Sequence, residues 1–244
     1  MTATQVHDQL PGFGTTRGTR FLQRLKGRIR NGLIVQDLLD TLGHIGLVIR
    51  PYFVNAEFGP REAAPPLPER CSVRRLTVAD ATEMLRVTLR PPDPTDLASS
   101  LEHSHCVGLF YEGELAAYTW ASTARGVPVP DAGGARLFDL AANEAYVFDM
   151  YVVPRFRGTR LAITLAQSTH SQLALMGRQD YYSLTIAFNR SARRFKTRLG
   201  AREMELRLYL HLRWGRLPGM DLRLRRWGKG LRTPDRMRVN PVSK

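Results

Sequence analysis

Apolar and polar positions change their spacing several times along the chain, and each change predicts a different kind of element. Over residues 17–42 apolar side chains recur mostly at intervals of three and four, which predicts one or two amphipathic helices. Residues 44–58 then read as extended chain, rich in Val, Ile, Tyr and Phe. Four prolines crowd residues 60–68 and exclude a helix or a central strand there, so we place a boundary at residue 68.

The next block alternates strand-like runs with helical ones. Short apolar runs predict strands, in order, at residues 71–76, 106–111, 115–120, 146–153 and 181–188. The second and third of these flank Glu112 and Gly113, a pair typical of a tight hairpin turn. Helices are predicted from Thr77 or Asp80 to Val87, after Gly158 as far as Met176, and over residues 189–199.

Three stretches of this block have a weaker pattern. Residues 95–104 are predicted as a loop or a short helix, and residues 126–142 as a loop because prolines and glycines interrupt them. Residues 203–213 alternate leucines with polar side chains such as Glu205 and Arg207. That alternation predicts an antiparallel strand whose polar face is in water.

The stretch from residue 145 to residue 162 has a pattern that favours anion binding. A strand carrying a single carboxylate, Asp149, is stopped by Pro154, and a basic turn with Gly158 leads at once into a helix. Main-chain N–H groups at such a turn and helix start suit a phosphate group. The same residues also fit an ordinary strand–turn–helix connection with solvated arginines, so the stretch alone leaves both readings open.

Composition narrows the classes of partner. A hydrophobic content of 43% supports a folded core, and a net charge of +14 favours an anionic partner: a cofactor phosphate, nucleic acid or an anionic membrane surface. Cys71 and Cys106 have neither metal-type nor redox spacing, so we predict no metal site and a reducing cytoplasmic setting. Residues 1–10 lack the pattern of a secretion signal, and no stretch of the sequence is apolar for long enough to span a membrane.

Two motifs in this order resemble a known family. Residues 149–158 read Asp-Met-Tyr-Val-Val-Pro-Arg-Phe-Arg-Gly, and residues 189–200 read Asn-Arg-Ser-Ala-Arg-Arg-Phe-Lys-Thr-Arg-Leu-Gly. They resemble the fourth strand with its pyrophosphate loop, and the Asn-led segment after the fifth strand, of the GNAT superfamily of acyl-CoA N-acyltransferases. The resemblance covers roughly residues 70–212. It implies an α+β fold, with a mixed, mostly antiparallel sheet flanked by helices.

Three regions follow from this resemblance. Residues 69–212 are expected to form the GNAT-like acyltransferase domain. Residues 1–68 would be a basic N-terminal extension of helix, strand and proline-rich linker, and residues 213–244 a basic C-terminal tail. The basic ends suit an anionic membrane surface, a nucleic acid or packing on the core. The apolar face of residues 22–42 favours packing on the core or on a second copy of the chain, with nucleic acid the less favoured partner.

The resemblance also implies the acyl donor and the residues that hold it. The donor would be acetyl-CoA or another acyl-CoA, with no metal. The binding residues carried over by position are Met150, Tyr151, Val152, Arg157, Gly158, Thr159, Arg160, Leu161, Ala162, Asn189 and Ser191. The chain departs from the family pattern twice: Arg160 replaces a small loop residue, and Lys196 replaces a Tyr that often protonates the departing thiolate. Asn189 is also a favoured helix N-cap residue, and both roles are compatible.

Three residues are candidates for proton transfer. Strand alternation places Val147, Asp149 and Tyr151 on one face, where apolar surroundings would raise the pKa of the Asp149 carboxyl and suit it as a base. A structural carboxylate bonded to a nearby loop is the alternative, and Glu144 is the reserve base. Lys196 is either the proton donor to the thiolate or a solvated cation near the cofactor phosphates. The alternative proton donors are Tyr181 and Tyr182.

The sequence thus predicts an enzyme that moves an acyl group, most simply acetyl, from CoA to a primary amine. The acceptor would be a small amine, an amino sugar or a protein amine. One alternative is a longer acyl chain delivered by CoA or by an acyl carrier protein docked on the basic surface. Another is a GNAT-like module that binds CoA without catalysis and acts through its basic ends on a membrane or a nucleic acid. The expected location is the cytoplasm, with the inner face of the membrane as a docking surface.

Overall fold

The computed structural model describes residues 29, 33–58, 66–89, 91–128, 136–212 and 220–226. Its strands are β1 (Leu47–Phe58), β2 (Cys71–Arg75), β3 (His105–Tyr111), β4 (Glu114–Ser122), β5 (Gly126–Pro128), β6 (Arg136–Asp139), β7 (Glu144–Val152), β8 (Asp180–Ile186), β9 (Arg202–Leu212) and β10 (Met220–Arg226). Its helices are α1 (Leu33–His44), α2 (Ala81–Val87), α3 (Pro94–His103), α4 (Leu161–Leu175) and α5 (Arg190–Arg198). Most of the predicted helix over residues 17–32, and most of the basic tail, lie outside the described residues.

Eight strands form one sheet in the order β10-β9-β1-β8-β7-β4-β3-β2. Neighbours pair antiparallel except β7 and β8, which run parallel. Helices α2 and α3 cover one face, where Met84 and Leu97 pack with Tyr118 and Trp120. Helix α4 covers the other face through Leu165 and Leu173, among other residues. The predicted mixed, mostly antiparallel α+β fold is confirmed.

The strand from the N-terminal segment lies inside this sheet. β1 is hydrogen-bonded to β8 along one edge and to β9 along the other. Alternate β1 side chains, including Tyr52 and Val54, are buried in the core on one face. Phe53 and Glu57 point to the opposite face, where they meet helix α5. The regional boundaries at residues 68 and 212 stay a prediction. Strand β1, although it comes from the predicted N-terminal extension, is an internal strand of the main sheet.

The prediction that β9 has a polar face in water is wrong. Glu205 and Arg207 are 0% and 1% exposed, while Leu206, Leu208 and Leu210 are only partly buried. Glu205 accepts a hydrogen bond from Arg207 at 2.8 Å, and Arg223 of β10 approaches the same carboxylate at 3.0 Å. Alternation identified the strand but not the buried face, because the paired charges lie on the same face as the core residues Tyr52, Val54 and Tyr209.

Two weaker predictions are also corrected or sharpened. Residues 126–142 are not simply a loop: they contain the two-stranded ladder of β5 and β6, whose buried Val127, Leu137 and Phe138 pack against the main sheet. Residues 94–103 form helix α3, whose first turn is capped by the Asp93 carboxylate. Short elements of this kind escape periodicity because each presents only a few apolar positions.

Candidate active site

The parallel strands β7 and β8 separate soon after they begin. They pair only at Glu144–Asp180, Ala145–Tyr181 and Tyr146–Tyr182. Beyond that point β7 stays with β4 and β8 stays with β1, so the two strands diverge. We call the resulting opening between residues 147–152 and 183–186 the wedge. Its two edges carry main-chain N–H and C=O groups that the sheet does not pair across the gap, so a ligand can pair with them.

Main-chain alternation shows which groups of β7 face the wedge. The N–H of Val153 donates to the carbonyl oxygen of Ala116 at 2.9 Å, on the β4 side. Because successive residues of a strand point their main-chain groups to opposite sides, those of Val152 and Met150 point towards the wedge. The main chain of Tyr151 pairs with Tyr118 of β4 instead. Met150 and Val152 are therefore placed to pair with an extended ligand, whereas Tyr151 is not.

A β-bulge at Asp149 interrupts strand alternation in β7. Asp149 has a left-handed φ of 46°, and the register with β4 shifts between Tyr118, paired with Tyr151, and Trp120, paired with Phe148. Val147 consequently faces helix α4, while Tyr151 faces the α2 side. The predicted common face for Val147, Asp149 and Tyr151 is wrong, because the extra residue reverses the alternation. Asp149 is exposed, so apolar burial is not what would adapt it to act as a base.

The turn after β7 has the geometry predicted for a phosphate site. Gly158 adopts φ +83°, which favours glycine, and helix α4 begins three residues later at Leu161. Within this described loop, the hydroxyl of Thr159 accepts the Leu161 N–H at 3.3 Å, and the Arg160 carbonyl oxygen accepts the Ile163 N–H at 2.9 Å. The first N–H groups of a helix have no acceptor one full turn earlier in the helix. The loop residues 158–160 are exposed. Predicted binding residues Gly158 to Ala162 thus lie together in a glycine turn and helix start, and their contact with a phosphate stays a prediction.

The arginines near this turn have different settings. Arg155 is paired with Glu114 of β4 and lies over the ring of Phe156. Arg157 donates from Nε to the carbonyl oxygen of Val152 at 3.0 Å, which draws its side chain back over the strand. Arg160 is the exposed N-cap residue of α4. Arg157 and Arg160 add positive potential beside the turn, which suits the pyrophosphate that the resemblance implies, whereas Glu114 offsets the charge of Arg155.

Asn189 and Ser191 lie at the start of helix α5. The Asn189 side-chain oxygen accepts the Ala192 N–H at 3.0 Å, so Asn189 is the N-cap residue of α5. Ser191 is exposed in the first turn. The capping role is thereby observed, while contact of either residue with a cofactor stays a prediction.

Lys196 is held in a buried polar cluster. Its ammonium donates to Oε1 of Glu57, whose other oxygen lies 3.1 Å from Nε2 of His170 in α4. Burial alone would raise the pKa of Glu57, but the charge of Lys196 and the hydrogen bond from His170 outweigh it and lower the pKa to about 2. Lys196 is therefore anchored to β1 and is not a solvated cation. Its predicted role as a proton donor is untested.

Glu144 caps a turn at the far end of β7. Its carboxylate accepts the Ala141 N–H at 2.6 Å and contacts the Tyr182 hydroxyl at 3.4 Å. Five residues separate it from Asp149, roughly 15 Å along a strand. Lys196 contacts the opposite, α4-covered face of the sheet. The structure thus does not bring the three candidate proton-transfer residues together.

The two alternative proton donors are also engaged elsewhere. The Tyr181 hydroxyl contacts the carbonyl oxygens of His170 and Arg178, at 2.9 and 2.8 Å. The ring of Tyr182 packs against Phe138 in the core, and burial raises its pKa. Neither phenol is placed to serve a ligand in the wedge.

A pocket of about 450 Å³ opens beside the bulge. It is bounded by helix α2, the segment after it, helix α3 and the strands β4 and β7. Its lining residues are Met84, Thr88, Leu89, Pro92, Leu97, Tyr118, Trp120, Asp149, Met150 and Tyr151. We call it the bulge pocket. Apart from Asp149, Met150 and Tyr151, sequence reasoning missed these residues. The every-second spacing of Tyr118 and Trp120 in β4 was the available signal for a shared face.

The described residues contain no group of three or more His, Cys, Asp and Glu side chains placed to hold a metal ion. Across the same portion of the chain, none of the helices combines the length and hydropathy needed to cross a membrane.

Comparison with known proteins identifies structural relatives only. No protein-family model matches the chain, and no curated protein matches it significantly. A solved Drosophila protein aligns with 73% of the chain at 15% identity and a TM-score of 0.51, and the chain spans 57% of that protein. A protein assigned to the GNAT acetyltransferases, from Novosphingobium aromaticivorans, aligns with 68% of the chain at 23% identity, with 66% of its own length covered and a TM-score of 0.48.

A GCN5-related N-acetyltransferase from Sphaerobacter thermophilus covers 77% of the chain at 16% identity, with 57% of its own length aligned and a TM-score of 0.48. Such identities speak to the fold. In the chain itself, the bulge at Asp149 and the glycine turn before α4 fall within the first motif, and the parallel strands diverge just before it. The similarity to the solved Drosophila protein is a similarity of fold, and the GNAT resemblance of this chain rests on the two sequence motifs.

Proposed function

We propose that the protein is an N-acyltransferase that moves an acetyl group from CoA to a primary amine by direct attack of the amine on the thioester. One observation carries the proposal. The short stretch 149–152 of β7 places a carboxylate at the bulge pocket and main-chain groups of Met150 and Val152 at the wedge. A donor in the wedge and an amine in the pocket would therefore meet at the bulge.

Two sets of residues bind different parts of the donor. The turn at Gly158 and the start of α4 hold the pyrophosphate through N–H groups, with Arg160 adding charge. Met150 and Val152 pair with the amide-bearing arm of the donor as a neighbouring strand would. When bound, acetyl-CoA supplies a thioester carbonyl carbon open to nucleophilic attack.

Asp149 serves the acceptor. An amine is an ammonium ion at neutral pH and must lose a proton before its nitrogen can attack. The exposed carboxylate at the pocket attracts the ammonium group and takes that proton. A C–N bond then forms, the nitrogen loses its second proton to solvent, the C–S bond breaks, and the leaving sulfur receives a proton. The described residues do not identify the donor of that last proton, since Lys196 is paired with Glu57 and Tyr181 and Tyr182 are engaged elsewhere.

The proposal is tested by mixing the protein with acetyl-CoA and a pool of primary amines while free thiol is monitored. We expect thiol release that needs both the protein and an amine. Absence of release with every amine, together with tight binding to anionic vesicles or DNA, would instead support a non-catalytic binding module. Release only with long-chain acyl-CoA or acylated carrier protein would support the longer-chain alternative.

A further inference from the structure

The hydroxyl groups in the wall of the bulge pocket form hydrogen bonds with each other and with the main chain. The Tyr151 hydroxyl donates to the carbonyl oxygen of Val87 at 3.0 Å and accepts the Leu89 N–H at 3.1 Å. The Thr88 hydroxyl donates its only proton to the carbonyl oxygen of Met84 at 2.7 Å. The Tyr118 hydroxyl lies 3.0 Å from that Thr88 oxygen, and must therefore be the donor between them. All three hydroxyl protons are thus used within the protein.

The rest of the described wall is apolar or aromatic. Met84, Leu97 and Trp120 are buried at 1, 3 and 7% exposure, and the rings of Tyr118 and Tyr151 stack with centroids 5.4 Å apart. Leu89 lines the same pocket but is 67% exposed, so it presents an apolar side chain at the entrance. Asp149 is the one carboxylate among the described lining residues.

We infer that the acceptor is a primary amine with an apolar, aromatic or alkyl body, and not an amino sugar; this rests on the function proposed above. A hydrophobic body removes apolar surface from water against Trp120, Leu97 and Leu89. Its ammonium group is attracted by the Asp149 carboxylate and by the faces of the aromatic rings. A polyol body would lose hydrogen bonds to water, and the hydroxyl groups of the wall have no proton left to donate to it.

The size of the pocket agrees with this class. About 450 Å³ is within the range of small-molecule sites and accommodates a single ring or a short alkyl chain with its amine. The lining residues include none from the Gly158 turn, so the pocket is separate from the turn proposed to hold the pyrophosphate, and we assign it to the amine. The alternative occupant is a long acyl chain, and the Leu89→Ser variant below distinguishes it from the amine.

The test compares 2-phenylethylamine with glucosamine as acceptors for acetyl-CoA, with thiol release as the readout. We expect kcat/KM to be roughly 10- to 100-fold higher for phenylethylamine, the range expected for burying one apolar group. Glucosamine is the less basic amine and has the larger neutral fraction, so basicity works against the expected preference. Equal or faster acetylation of glucosamine would overturn the inference. No release with any amine would reject the proposed function itself.

A pair of matched variants examines the pocket directly. Leu89→Ser replaces an exposed leucine at the entrance and should lower kcat/KM for phenylethylamine about 5-fold, a fraction of the value of a buried leucine. Leu175→Ser changes a leucine that is 89% exposed at the far end of α4 and should leave it unchanged. Equal effects of the two variants would contradict the inference. A Leu89→Ser defect seen only with longer acyl-CoA donors would assign the pocket to the acyl chain instead.

Discussion

Asp149 owes its position to one extra residue in a strand. The bulge gives it a left-handed backbone and directs its carboxylate to the bulge pocket while Met150, the next residue, faces the wedge. Bulges commonly re-aim a side chain beside a functional site. The carboxylate is exposed, so its suitability as a base derives from its placement at the pocket and not from burial.

Replacement of Asp149 by Asn separates catalysis from donor binding. Asp149→Asn should lower kcat about 10²- to 10⁴-fold near neutral pH, the usual contribution of a positioned base. The defect should shrink as the pH approaches that at which the amine is itself neutral. Acetyl-CoA affinity, measured by calorimetry, should stay unchanged because the phosphate turn is intact.

Glu144→Gln is the control for that experiment. Glu144 accepts a main-chain hydrogen bond at 2.6 Å at the other end of β7. Its replacement should lower the free energy of unfolding while leaving kcat near that of the unmodified protein. Equal kinetic losses in both variants, or a pH-independent loss in Asp149→Asn, would argue against Asp149 as the base.

Gly158 allows a similar separation for the donor. A methyl group added there would meet no atom within 4 Å, but φ +83° strains any other residue by about 1–2 kcal/mol. Gly158→Ala should therefore weaken acetyl-CoA binding roughly 5- to 30-fold in a calorimetric titration. Gly177→Ala carries the same strain at φ +77° beyond the end of α4, with equally open space. It should reduce stability without reducing the affinity for acetyl-CoA. A comparable loss of acetyl-CoA affinity in both variants would contradict the proposal that the Gly158 turn binds the pyrophosphate.

At the scale of elements, β1 supports the helix that begins the second motif. Arg193 of α5 lies over the ring of Phe53 at 4.2 Å, and Lys196 of α5 pairs with Glu57. His170 joins the same carboxylate from α4. Helix α4, which follows the first motif, and helix α5, which lies within the second, are thus both paired with one buried carboxylate from the N-terminal segment. Any movement of β1 would shift the helices that flank the wedge.

The free energy of unfolding of Glu57→Gln tests the contribution of the Glu57 pairing with Lys196 and His170. Removing one partner of a buried ion pair should lower the free energy of unfolding by about 3–5 kcal/mol at pH 7. The pKa of Glu57 is lowered from 4.5 to about 2 by Lys196 and His170 against the effect of burial, so its stabilisation is complete above pH 4.5 and is lost as the pH falls towards 2. Chemical denaturation across that window should show a weaker pH dependence in the variant.

Glu203→Gln provides the comparison for Glu57. Glu203 also pairs with α5, through Arg193, but both side chains are about one-third exposed. Solvent screens such a pair, and its loss should change stability by less than about 1 kcal/mol. Similar losses in the two variants would show that the buried cluster is not what fixes α5.

At the scale of the molecule, local patterns predicted most elements but not how they face one another. Strand, hairpin and helix positions from residue 71 onward followed from apolar runs and turn residues, and the GNAT-like order followed from two motifs. The face of Val147, Asp149 and Tyr151 was wrong because no local pattern announces an inserted residue. Burial of Glu205 and the pairing of Lys196 with Glu57 depend on contacts between distant segments, which periodicity does not contain.

The candidate site was predicted unevenly for the same reason. The phosphate turn is local, so Gly158 and the start of α4 were found from the sequence and have the expected geometry. The bulge pocket is assembled from α2, α3, β4 and β7. The spacing of Tyr118 and Trp120 indicates only that they share a face, and Leu89 and Leu97 have no signature in any single segment. The apolar character of the pocket depends on the hydrogen bonds that engage the Tyr118 and Tyr151 hydroxyl groups, and no sequence pattern contains those hydrogen bonds.

The most direct measurement follows the acetyl group itself. Acetyl-CoA with an isotope-labelled acetyl group is incubated with the protein and 2-phenylethylamine, and the products are resolved by mass spectrometry. The account predicts labelled N-acetylphenylethylamine and an equal amount of free CoA, both strongly reduced in Asp149→Asn. Label that remains in acetyl-CoA, or that appears only as acetate, would contradict the transfer of an acyl group to an amine.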